Sequence, residues 1–138
     1  MNAKLIGRLG AGLLGVALVF GLGVAVGQQT GPTETKGMKV SPPTALDLAP
    51  EIDGVEGRQL RLRIVTLEPG GVVAVHTHKG RPGVAYVLQG TLTERREGGW
   101  VKQRGVGEAW AEGKDVMHWA ENHGAIPVVV VAVDVFKP

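Results

Sequence analysis

Apolar and polar residues alternate over residues 60–67, with Leu60, Leu62 and Ile64 on one side of the count and Arg61 and Arg63 on the other. A period of two is that of a strand with one face in a core, and Pro69-Gly70-Gly71 predicts where this one stops. Short β-like runs follow at 72–76, 84–88, 91–95, 100–104, 108–111 and 118–121, and an apolar run over 128–135 completes the pattern. Glycine-rich turns separate them. Gly98-Gly99 sits between two of the runs and predicts a hairpin, because glycine accepts the positive φ that such turns require. Nothing after Arg58 sustains a helical period. The segments therefore predict an all-β domain, either a barrel or a double-sheet sandwich.

Residues 9–27 follow another pattern, 19 residues drawn only from Leu, Val, Ala, Phe and Gly. A buried core helix would normally keep a polar face, and this run has none, so it reads as an N-terminal leader helix. Lys4 and Arg8 precede it and Ala25-Val26-Gly27 ends it, the layout of an export signal cut after Gly27. At 1.5 Å per residue the run also suits an anchor across a hydrocarbon core of ~30 Å. Both readings put the domain outside the cytoplasm, periplasmic or extracellular, with residues 9–27 as its sole membrane contact. Residues 28–50 contain four prolines and read as a flexible linker, which leaves residues 51–138 as the folded domain.

At 138 residues a single domain is the natural count. Cysteine is absent, which excludes disulfide scaffolds, thiolate metal sites and cysteine nucleophiles. The net charge of +2 comes from the leader: without Lys4 and Arg8, 13 basic residues face 13 acidic ones. These charges are interspersed and aromatic residues make up only 4%, so neither a phosphate-binding patch nor a base-stacking platform is present, and nucleic acid is excluded as a partner.

Chemistry therefore rests on nitrogen and oxygen donors, and four histidines stand out, at 76, 78, 118 and 123. In a strand His76 and His78 point to one face with Cα atoms roughly 6.6 Å apart, close enough for both imidazoles to meet one ion. Such a pair also suits a solvent-facing strand, so a third donor is needed. His118, two hairpins downstream, can supply it. His123 lies in a turn before Gly124 and reads as an exposed loop residue.

Here the chain resembles the cupin superfamily. Its first motif, Gly-x5-His-x-His-x4-Glu-x6-Gly, is matched by Gly70, His76, His78 and Gly90, with Gly83 at the place of the glutamate. The second, Gly-x5-Pro-x-Gly-x2-His-x3-Asn, is matched by Gly107, His118 and Asn122, with Gly113 and Asp115 replacing proline and the inner glycine. The resemblance implies a small jelly-roll β-barrel holding a divalent transition metal inside, with His76, His78 and His118 as ligands and no side chain at the glutamate position. Three neutral imidazoles leave the ion's double charge uncompensated, which predicts a more electrophilic centre with coordination positions open to water or an anionic ligand. Imidazole donors suit iron or zinc first, with manganese, nickel and copper also admissible.

Two functions follow from this reading. One is an exported, metal-dependent, dioxygenase-like enzyme acting on a small organic acid or phenol; the other is a non-catalytic module that binds a small anion or metal. Lys79 and Arg81, just after the histidine pair, are placed to attract an anionic ligand. Trp110, Trp119 and Tyr86 are candidates for the cavity wall, and Glu94, Glu108, Glu112 and Glu121 for acid-base roles, with nothing to single one out. Cupins commonly pair through outer strands, and the run over 128–135 is a candidate for contact in a homodimer.

Overall fold

The computed structural model describes residues 30–138; the leader read over residues 1–27 lies outside them. Among the described residues nine strands run in chain order: β1 (Lys36–Val40), β2 (Thr44–Asp47), β3 (Gln59–Thr77), β4 (Gly83–Gln89), β5 (Leu92–Arg95), β6 (Val101–Arg104), β7 (Ala109–Glu112), β8 (Met117–Glu121) and β9 (Val128–Phe136). Every pairing is antiparallel in the order β6-β5-β8-β3-β9-β4-β7, with β1 and β2 also on β3, and the result is a nearly closed barrel. The all-β expectation holds, and Glu97–Gly99 makes the expected hairpin turn between β5 and β6.

Two expectations are corrected. Pro69-Gly70-Gly71 does not end a strand but bends one, so the runs at 60–67 and 72–76 are two halves of β3. Its first half pairs with β9 and its second with β8, and the bend is the corner at which the strand passes from one side of the barrel to the other. Gly70 takes φ 73° at this corner, and a Cβ on Gly71 would lie 2.7 Å from Leu67 Cδ1. The second correction concerns residues 28–50, read as linker: β1 and β2 lie inside that stretch and bond to β3. Every residue of both strands is exposed, so backbone pairing rather than a buried face holds them.

A bulge in β3 decides where the first histidine points. Val73 pairs with Ala120 and His76 with His118, so three steps on β3 match two on β8. The extra residue turns His76 to the inner face, directly opposite His118. The apolar core lies beneath, formed by Leu67, Ala85, Val87, Leu92, Ala120, Val128 and Val130, with Val73 and Trp110 against it. Asn122 closes the end of β8: buried, it donates Nδ2 to the carbonyls of Leu67 and Ile126 and accepts from the Gly124 amide.

The outer face of β2, β3, β9, β4 and β7 is also apolar. Leu62 pairs with Val133 and Val133 with Val84; Ile64 pairs with Val131 and Val131 with Tyr86. Leu46, Leu60, Leu62, Val84, Tyr86 and Leu88 are each at least 40% exposed. Tyr86 therefore faces outward and is not part of the cavity wall.

Candidate metal centre

The bulge and the strand register bring three predicted residues to one point. His118 Nε2 lies 3.0 Å from His78 Nε2 and 3.1 Å from His76 Nε2. Two nitrogens each bound at about 2.1 Å to one ion, at angles between octahedral and tetrahedral, lie about 3.0–3.4 Å apart, so the spacing fits a shared cation. His123 is elsewhere, exposed and paired with Glu121 at 2.7 Å.

The opposite ring nitrogens set the tautomers. His76 Nδ1 is 2.9 Å from the carbonyl of Ala74, which only accepts, so Nδ1 carries the proton. His118 Nδ1 donates to Glu94 Oε1 at 3.0 Å. In their neutral forms both rings thus present bare Nε2 lone pairs to each other, an arrangement that repels unless a cation lies between them. Burial lowers the pKa of His76, and burial together with the other two rings brings His78 down to about 4, so both are neutral, ligand-ready imidazoles at neutral pH. The donor set fits a divalent transition metal.

Glu94, on β5, is the support that sequence reasoning did not single out. It is fully buried, with Oε2 bonded by Arg104 at 2.7 and 3.0 Å and Oε1 by Arg96 as well as His118. Burial alone would raise its pKa, but these three donors outweigh it and hold the carboxyl at about 2.

Gly83, at the position of the missing glutamate, has no room for a side chain: its Cβ would lie 2.6 Å from the Val133 carbonyl. Directly across from it on β7 stands Glu112. The Glu112 carboxylate lies 3.7 Å from His118 Nε2 and 3.4 Å from His78 Nδ1, the latter without hydrogen-bond geometry, and it accepts from Trp110 Nε1 at 3.0 Å. Burial raises its pKa, and no described arginine pairs with it. Of the other acids, Glu108 bonds the Gly105 amide and Glu121 pairs with Arg95, both away from the rings.

The rings open into a cavity of about 280 Å³ whose wall includes Met38 and Val40 of β1, Trp110 of β7, and Arg63 and Arg81. Trp119 is buried against Gly31 and Val75 instead. Lys79 is exposed, whereas Arg81 turns inward to Asp134, which also binds Arg61 and Arg63. Burial opposes ionisation of Asp134, but the Arg61 hydrogen bonds and the neighbouring guanidinium charges prevail and hold its pKa below the ordinary 3.8. A depressed folded value gives stability that is present above the unfolded value and lost as pH falls through the folded one. Asp134→Asn is therefore expected to lower stability at neutral pH by a gap that narrows below about pH 4. Urea midpoints of both proteins measured from pH 7 to 3 check this, and a gap constant across that range contradicts it.

A cupin-domain family model matches residues 63–135. No curated protein matches the chain. Among solved structures, TT1209 from Thermus thermophilus is 26% identical, with TM-score 0.52 over 60% of this chain and 77% of that one. The cupin domain of an XRE-family transcriptional regulator from Enterobacter cloacae is 17% identical, with TM-score 0.53 over 75% of this chain and all of its own. Oxalate oxidase in complex with glycolate is 22% identical, with TM-score 0.53; the alignment covers 74% of this chain and 52% of the oxidase.

Proposed function

The chain belongs to the cupin family, and from that premise we propose that it is a metal-dependent, dioxygenase-like enzyme acting on a small organic acid or phenol. The observation that carries the reading is the meeting of three Nε2 atoms at 3.0 and 3.1 Å, two of them bare by virtue of their Nδ1 partners. His76, His78 and His118 would hold the ion, and iron is preferred over zinc because zinc has no redox chemistry. A bound divalent ion supplies Lewis-acid and redox chemistry at the cavity floor.

The protein's own residues do the rest. Glu94 holds the His118 ring in one tautomer and orientation. Glu112 brings a carboxylate to the edge of the centre, on the strand position paired with Gly83. Apolar walls exclude water, and the arginines bias the cavity towards anions. Both atoms of dioxygen enter the substrate in such a reaction, so no external reductant is needed. The reading includes export from the cytoplasm, or anchoring, by residues 9–27.

Iron-loaded protein tested against a panel of organic acids and phenols is expected to take up oxygen with at least one of them, and His76→Ala to abolish that uptake. Loaded protein that binds acids, unaltered, without consuming oxygen would select the non-catalytic binding module.

We further propose that a second copy of the chain covers the outer apolar face, since contiguous patches of this kind are rare on monomers. Light scattering is expected to give a dimer, and Tyr86→Lys a monomer with its fold retained. A monomeric parent protein would overturn the assignment.

A further inference from the structure

The polar end of the cavity is built unevenly. Three guanidinium groups converge on one buried carboxylate, Asp134. Arg61 grips it in a bidentate pair: Nε and Nη2 bond Oδ1 and Oδ2 at 3.0 and 2.9 Å, and the guanidinium stacks 3.7 Å above the Phe136 ring. Arg63 gives only Nη2, at 2.9 Å, and Arg81 only Nη1, at 3.4 Å, both to Oδ2. A guanidinium has five N–H donors, so Arg63 and Arg81, which spend one each on Asp134 and line the cavity as Arg61 does not, have donors to offer a ligand there. Arg63 Nε is moreover buried without any partner.

The charges do not cancel. Three arginines against Asp134 leave two positive charges, and Glu112 offsets one of them. Net positive charge on partly buried arginines beside apolar walls is costly, and an anion entering the cavity would relieve that cost. Beyond Thr35, the two arginines, Glu112 and the three histidines, every residue of the wall is apolar, including Val65, Leu67, Leu92 and Val130. A short, fully polar acid would satisfy the arginines but leave those walls against water. A phenol would cover the walls but not the charge.

We propose that the cavity takes an amphipathic monocarboxylate, its headgroup between Arg63 and Arg81 and its apolar body, of roughly six to ten carbon atoms, along the walls of β3, β4 and β9. This rests on the reading above that the cavity is the substrate site, and it narrows the substrate class.

Full-length protein freed of metal by a chelator, then dialysed, separates this assignment from the metal reading, because Arg63 and Arg81 need no ion to act. Octanoate, octan-1-ol and oxalate are titrated by calorimetry, with thermal shift as a second readout. Octanoate is expected to bind roughly 10- to 100-fold more tightly than either of the others, the worth of a charge-assisted hydrogen bond added to apolar burial. Arg81→Gln is the safer variant, since Arg81 is the outermost of the three and Arg61 and Arg63 still hold Asp134. It is expected to melt close to the parent, lose roughly tenfold or more in octanoate affinity and bind octanol unchanged. Equal affinity for octanoate and octanol, preference for oxalate, or an Arg81→Gln variant with undiminished octanoate binding would each overturn the proposal. Absence of metal from natively produced protein would count against the metal reading alone.

Discussion

Alanine at position 118 is expected to abolish binding of a divalent metal ion. His118 is the ring both others meet, 3.0 Å from His78 Nε2 and 3.1 Å from His76 Nε2, while no nitrogen-to-nitrogen hydrogen bond links those two to each other. Removing it leaves two donors, too few for a stable site. Affinity should fall by more than the roughly 10- to 100-fold seen when only a supporting partner is lost. Elemental analysis and competition with a chromogenic chelator measure this. A His118→Ala protein that folds and keeps a full complement of ion would refute the three-ring centre.

Glu94→Ala carries the largest expected effect on stability. The side chain it removes is fully buried and receives hydrogen bonds from Arg104, Arg96 and His118. Arg104, itself only 7% exposed, would be left with an uncompensated charge. Breaking a buried pair from one side costs about 3–5 kcal/mol, a large part of the stability of a domain this size. Chemical denaturation should show a midpoint shift of that order, together with weaker metal binding, because His118 loses the acceptor that fixes its tautomer. A change below about 1 kcal/mol, the range of an exposed ion pair, would mean that water reaches Arg104 in solution.

His76 and His78 were legible in the sequence because two residues apart in a strand share a face, and His118 because the motif spacings, Gly70 to His76 and His118 to Asn122, resemble those of cupins. What supports them was not. Glu94 meets His118 only through the pairing of β5 with β8, and Arg61 meets Asp134 only through the register of β3 on β9, 73 residues apart. No local period encodes such partners, so four glutamates looked alike. Glu112 had one readable trace: Gly83 lacks a carboxylate, and a neighbouring strand is where a replacement could arise. β1 and β2 were hidden for a different reason. Each is only four or five residues long with every residue exposed, so Met38 and Val40 alone are too short an alternation to read as a strand, and the surrounding prolines suggest a tether.

The irregular step between Val73 and His76 means that inside and outside in β3 behave as a parity, which the bulge flips once. Every residue after it owes its side to that single extra peptide unit. Paired without that bulge, the same sequence would set Val75 opposite His118 and send His76 to the exterior, whereas deleting one residue between Val73 and His76 would restore a regular ladder with His76 still opposite His118. The centre is thus written as much in how the two strands are counted against each other as in the identity of its donors.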